Sequence, residues 1–399
     1  MASNKRKLGP KPKQESAEAK EREQDTIREI NKVLDQKEVD LAQLRKLAAA
    51  RGLVNNEIRA RVWPLLLGVK KSIDVYDGHK AGKHRDSSVV DVDVQRSLWA
   101  WTEGWSDAQR EEKRQELRFV LDATVCAQGG TIFYYQGLHD IASVLLLVMG
   151  DRTAYQTLTH LSLCQLRDCT RSTLDAVLEL LGLLMPILRE ADGEVHDQLA
   201  AAEVPPFFAL GWFITWFAHS VDNLQHVSRL FDLFMAAHPL MPLYVTAVVI
   251  KGARKQVLAC EPDPAELHRL LTNLPVLGQL SADELCQQAA SLFKQSPPSK
   301  LISTARLHFT CSTEAEAEIK DEHWHVDDQP QAPGTVPKYP LHYWKHFFTG
   351  PATRRKGVLL TMALAGGFNE RVLRLEPYPS ERLRRCQKVY QNTAVTVTA

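Results

Sequence analysis

Two short motifs carry side chains suited to a reaction on phosphate. The first reads Val90-Asp91-Val92-Asp93-Val94-Gln95-Arg96 and the second reads Phe133-Tyr134-Tyr135-Gln136-Gly137. Neither holds a nucleophile. An arginine offers a planar, permanently charged fork that matches two phosphate oxygens. A glutamine amide donates and accepts at once, which suits it to orienting a water. Together they can neutralise charge on a transferred phosphoryl group and position its attacker without a covalent bond to the protein. By themselves, two such residues are too common in a chain of 399 to single out a reaction.

The elements that must position them read as helices. Ile27, Ile30, Val33 and Leu34, then Leu41, Leu44 and Leu47, recur at helical spacing, and Gly52 stands where a helix C-cap belongs. Asn55 suits the N-cap of a helix carrying Arg59, Trp63 and Leu65 to Leu67. Trp63 reads as core, while Arg59 either pairs with a buried carboxylate or is solvated. Tyr76 to Ser88 is polar and unpatterned, a loop leading into the arginine motif. The alternation of Val90, Val92 and Val94 fits a short strand or an extended approach to a helix. Ser106-Asp107-Ala108-Gln109 is a capping-box signature for a helix through Leu117, Val120, Leu121 and Val125, stopped by Gly129-Gly130. Gln136 therefore follows a helix break, at a turn.

Leu138 to Val148 is apolar on every side and predicts a buried helix. His139 and Asp140 open it; Asp140 suits a helix N-terminus, and His139 is either catalytic or, as is commoner, a hydrogen-bonded core histidine. Leu174 to Leu188, with Pro186 near its end, predicts a further helix. Phe207 to Ala218 is too short to span a bilayer and predicts a core helix. Val227 to Ala237 and Leu240 to Leu258 continue the pattern, and Asp263 and Ser281 each open a helix. The expectation is an all-α fold over residues 26–295 without internal repeats.

Lys+Arg 49 against Asp+Glu 48 leaves a net charge of +1, so no basic field argues for nucleic acid. Seven cysteines without a CxxC pair fit reduced thiols better than a disulfide framework. Cys164 and Cys169 lie near His160, but the spacing matches no metal motif, and no metal site is expected. Residues 1–25 are polar and charged and predict a disordered tail without a secretory signal. Its Lys5-Arg6-Lys7 cluster reads as solvated rather than as a targeting patch. Residues 296–338 turn acidic and then Pro- and Gln-rich, which predicts a linker. In residues 339–399, Arg354-Arg355-Lys356 precedes an apolar run at 357–368 that is shorter than a bilayer span.

The motifs taken in order resemble those of TBC-domain Rab GTPase-activating proteins. Val90-x-x-Asp93-x-x-Arg96 followed by Tyr134-x-Gln136 resembles that family's paired arginine and glutamine fingers. Gly52 to Pro64, with Arg59 before Val62-Trp63, resembles its opening motif, and Trp212 to Phe217 with Arg229-Leu230-Phe231-Asp232 resembles its third block. Two departures are conservative: Val90 stands where the family usually has Ile, and Phe231 where it usually has Trp.

The resemblance implies a large helical domain that supplies Arg96 and Gln136 in trans to a Rab-family small GTPase in its GTP form. It implies Asp93 and Tyr134 as their immediate supports and Arg59, Trp63 and Asp232 as further ones. It also implies no cofactor for this chain, since GTP and Mg²⁺ come with the partner. Within the family, the chain is similar to a short member anchored in the endoplasmic reticulum. That implies the cytosolic face of the endoplasmic reticulum or Golgi, with residues 339–368 in contact with the membrane, or a soluble cytoplasmic protein if the short apolar run does not anchor. The competing expectations are a non-catalytic Rab-binding scaffold and a membrane-tethering adaptor, neither of which needs Arg96 and Gln136 together.

Overall fold

The computed structural model describes residues 17–69, 76, 82–298, 300 and 301, and among these every regular element is helical. In chain order the α-helices are α1 (Ala17–Leu34), α2 (Leu41–Arg51), α3 (Asn56–Leu66), α4 (Ser87–Gln95), α5 (Asp107–Cys126), α6 (Leu138–Met149), α7 (Asp151–Leu163) and α8 (Asp175–Leu181). They continue as α9 (Leu184–Ala191), α10 (Gly193–Ala201), α11 (Leu210–Ile214), α12 (Leu224–Ala236), α13 (Met241–Gly252), α14 (Arg254–Ala259), α15 (Pro264–Thr272) and α16 (Ala282–Gln295). Single 3-10 turns lie at Trp99–Trp101, Ala127–Gly130 and Pro206–Ala209.

Side chains close in sequence fix many of the helix starts. Asn55 Oδ1 accepts from the Ile58 amide, and Asp263 Oδ1 from the amides of Ala265 and Glu266. Ser106 with Gln109, and Ser281 with Glu284, each form the reciprocal capping box. Gly52 ends α2 at φ 75°, its amide bonding to Ala48 O. Arg45 of α2 caps two other helices at once, donating to the carbonyls of Met235, Ala236 and Leu66.

The core is made by helices buried on all sides. Along α13 every residue from Met241 to Ile250 is buried, and α9 and α16 pack against it. α6 is buried nearly all round, from Leu138 to Val148, between α3 and α7. α4 lies on α5 and α6.

Several local expectations are corrected. Residues 90–94 are neither strand nor extended but lie within α4. Val90 and Val94 are buried and Val92 is exposed, the i, i+4 pattern of a helix, which over five residues is mimicked by alternation. α1 begins at Ala17 rather than Thr26, because Ala, Glu, Lys, Arg and Gln are strong helix formers even without apolar residues. The stretch 174–188 is two helices. Pro186 has no amide to donate and its ring opposes the carbonyl four residues earlier, so the chain breaks at Gly182-Leu183. Phe207–Ala218 is a 3-10 turn, the short α11 and a left-handed turn at Trp216 and Phe217 (φ 49° and 66°), all packed as core. In the expected loop 76–88, Tyr76 is buried against Tyr155 and Ser87 and Ser88 start α4.

The domain also runs past 295. Ser296 and Lys300 both donate to Glu190, Tyr244 donates to Ser296 O, and Leu301 is buried. The rest of the expected linker, the tail at 339–399 and residues 1–16 lie outside the described residues. No described helix is long and apolar enough to cross a membrane.

Candidate functional site

α4 brings Asp93 inward and Arg96 to its end. Arg96 is the C-cap of α4, and the helix stops there because Leu98 turns left-handed at φ 72°. Three residues apart on a helix, the two side chains meet. Arg96 Nη2 donates to Asp93 Oδ1 at 2.7 Å, with the arginine about half exposed and the aspartate buried.

The second oxygen of Asp93 reaches the glutamine motif. Tyr134 Oη donates to Asp93 Oδ2 at 2.7 Å. Burial first, and then the neighbouring Asp93, push that phenol well above its usual pKa, so it stays a proton donor. His139 stands behind it, with Nδ1 at 3.0 Å from Tyr134 Oη and accepting from the Gly137 amide at 3.3 Å. The same Nδ1 lies 3.4 Å from Asp93 Oδ2, and Nε2 lies 3.4 Å from Asp140 Oδ1. His139 is thus a hydrogen-bonded core histidine.

The loop before Gln136 is tied down on every side. Asp86, at the start of α4, gives Oδ2 to the Tyr134 amide at 3.1 Å instead of capping its own helix. Arg85 donates to the carbonyls of Gly130 and Ile132 and lies 3.7 Å over the Phe133 ring. The Phe133 amide bonds Thr170 O, and Tyr135 Oη donates to Ile214 O at 2.8 Å. Gly137 follows at φ 117°, where a Cβ would meet Thr215 Cγ2 at 2.9 Å. Gln136 is partly exposed between these fixed neighbours. Arg96, Asp93 and Tyr134 accordingly form one hydrogen-bonded unit, and Gln136 lies in the loop that Tyr134 anchors.

Arg59, Trp63 and Asp232 form a second, buried cluster. Asp232 is fully buried and accepts from Arg59 Nε at 3.1 Å, Trp63 Nε1 at 2.8 Å and the Leu53 amide at 2.9 Å. Arg59 also donates to Gln225 and Asn56. Arg59 thus pairs with a buried carboxylate, as the resemblance implied. Beside it Arg229 donates to Asp283 and to the carbonyls of Ala48 and Ala49, pressed so close to Gly52 that a Cβ there would lie 2.6 Å from Arg229 Cδ. Phe231 is buried against Trp63 and Trp216. These residues hold the N-terminal helices to α12.

One pair at the site was not legible in the sequence. His219 is two-thirds exposed, and its Nδ1 lies 3.2 Å from Asp140 Oδ2 in the first turn of α6. The neighbouring Asp140 raises the imidazole pKa above its usual value, and the charge of Arg96 acts in the opposite sense. The left-handed turn at Trp216-Phe217, which contains no glycine, delivers His219 there. Cys169 is buried with its thiol pKa pushed up, and no cluster of three or more His, Cys, Asp or Glu suited to a metal occurs among the described residues.

Comparison with known proteins adds a family. The model of the Rab-GTPase-TBC domain matches residues 56–258. TBC1 domain family member 20 of Mus musculus is 36% identical over 348 residues, covering 85% of each chain. GTPase-activating protein gyp10 of Schizosaccharomyces pombe is 29% identical over 256 residues, 63% of this chain and 67% of that one. Among solved structures, the Ypt/Rab-GAP domain of Gyp1p aligns over 68% of this chain and 98% of its own with a TM-score of 0.55 and 15% identity, a likeness of fold alone.

Proposed function

The chain belongs to the Rab-GTPase-TBC domain family, and from that membership we propose that it is a GTPase-activating protein for a Rab-family small GTPase in its GTP form. In this reading Arg96 meets the charge that builds on the bridging and γ-phosphate oxygens, and Gln136 orients the attacking water. GTP and Mg²⁺ arrive bound to the partner, so this chain supplies side chains and needs no cofactor of its own. The observation that carries the reading is the shared anchor: one buried carboxylate, Asp93, accepts from both Arg96 and Tyr134 and so ties the two motifs together. A scaffold that only bound a GTPase would not require a half-exposed arginine fixed beside the glutamine loop.

The test is single-turnover GTP hydrolysis by a panel of purified Rabs with the full chain, wild type against Arg96→Ala and Gln136→Ala. Acceleration of one Rab is expected, falling about 10³- to 10⁵-fold in Arg96→Ala, the usual worth of an arginine supplied in trans. Binding without acceleration of any Rab would instead establish a non-catalytic scaffold.

The same proposal places the chain at the cytosolic face of the endoplasmic reticulum or Golgi, with residues 339–368 against the membrane. The support is the basic cluster Arg354-Arg355-Lys356 ahead of the apolar run at 357–368. Membrane fractionation of the full chain and of one ended before residue 339 tests it; equal recovery of both in the soluble fraction would refute the contact.

A further inference from the structure

Two apolar side chains stand in water, one before and one after Arg96 along the chain. Val92 is one helical turn before it on the same face of α4 and is 61% exposed. Trp99 is three residues after it and is 55% exposed, although indole has the largest apolar surface of any side chain.

Trp99 is held in that position. Leu98 adopts φ 72°, a left-handed conformation that is strained for a bulky residue, and buries its own side chain while turning the next one out. Thr102 Oγ1 and the Trp101 amide both bond Leu98 O, closing the turn, and Trp101 Nε1 bonds Val221 O. Two guanidiniums lie against the Trp99 ring, Arg110 at 4.2 Å and Arg114 at 4.8 Å from its centroid. Arg110 is itself immobilised by Thr102, Trp105 and Asp107. An exposed aromatic fixed in this way loses little conformational freedom when it is covered, which is the character of an interface hot spot.

The occupant follows from distance. A specific protein interface covers about 800 Å² on each partner, a patch of roughly 16 Å radius. The Trp99 Cα lies at most about 11 Å from that of Arg96, being three Cα–Cα steps of about 3.8 Å away. Val92 is about 6 Å along the helix axis from Arg96. An interface of that radius centred on Arg96 therefore reaches as far as both residues.

We propose that Val92 and Trp99 are apolar docking anchors for the GTPase that receives Arg96, and that this GTPase presents an apolar surface beside the cleft the arginine enters. The inference rests on the proposed role of Arg96 and adds to it a division of labour. Arg96 sets the maximal rate, whereas Val92 and Trp99 set the concentration at which it is reached.

The experiment is single-turnover hydrolysis by the Rab panel as a function of the concentration of the full chain, for wild type, Val92→Ser, Trp99→Ala, Trp99→Phe and Arg96→Ala. Melting temperatures verify that each variant is folded. The expected result is a half-saturating concentration raised about tenfold or more by Val92→Ser and by Trp99→Ala, with maximal rates within about twofold of wild type and recovery in Trp99→Phe. Arg96→Ala behaves conversely. Unchanged half-saturation in Val92→Ser and Trp99→Ala, or a loss confined to maximal rate, overturns the anchors while leaving Arg96 as the finger. A wild-type maximal rate in Arg96→Ala overturns the finger, and with it the reason for placing a GTPase on this face. Sedimentation or vesicle flotation that Trp99→Ala alone abolishes would assign the face to a second copy or to a lipid surface and would also overturn the proposal.

Discussion

A carboxylate almost closed to water, accepting from a guanidinium on one oxygen and a phenol on the other, is costly to leave half satisfied. Tyr134→Phe is expected to lower stability by about 1–3 kcal/mol in urea unfolding, because it strands one oxygen of Asp93. It should also slow the assisted reaction, since Arg96 then rests on a less constrained partner. At His219 the sign is that of a base gaining an acid. Its folded pKa is raised by Asp140, so the pair contributes fully below about pH 6.5, the unfolded value, and its contribution fades as pH rises through the folded value. An NMR titration should place the His219 midpoint above 6.5 and show Asp140→Asn lowering it. That Arg96, Asp93 and Tyr134 meet was legible through the resemblance, because each motif is contiguous and follows a known pattern. Asp140 with His219 was not: the two meet only through a backbone turn for which Trp216 and Phe217 give no local signal.

Where helices start was legible and where they break was less so, for a physical reason. A cap such as Ser106, Ser281, Asn55 or Asp263 acts within four residues, so its effect is written next to it. The division of 174–188 depended on Pro186 acting backward on Gly182, and the turn at 216–217 on the ring packing of Trp216 against Phe231 and Phe234. Val90 to Val94 was ambiguous because alternate and helical spacing coincide over so short a run. Gly137 is the element boundary on which the Gln136 loop depends. With φ at 117° and Thr215 Cγ2 at 2.9 Å from any Cβ, Gly137→Ala is expected to cost more than about 1 kcal/mol. Thermal melts should show the loss, and turnover should fall with it as Gln136 shifts.

Over the whole molecule, Asp232 joins parts of the chain that are remote in sequence, taking Leu53, Arg59 and Trp63 onto α12. Removing one partner of a buried pair leaves the other charged and unsatisfied, so Asp232→Ala should cost about 3–5 kcal/mol in chemical denaturation. Its activity per folded molecule, measured at low temperature, should survive better than that of Arg96→Ala, since the cluster is buried away from any partner. The resemblance to the family marked these residues as supports, but their work as a clasp could be seen only once the helices were assembled. The clasp also sets a timetable for the nascent chain. Arg59 and Asp232 are 173 residues apart, and at about 5–20 residues per second the ribosome delivers the aspartate roughly 9–35 s after the arginine. Isolated helices form within microseconds. For that whole interval α2 and α3 can coil yet cannot seal, because Arg59 must stay in water until its counter-charge emerges. The front of the domain therefore waits for its rear.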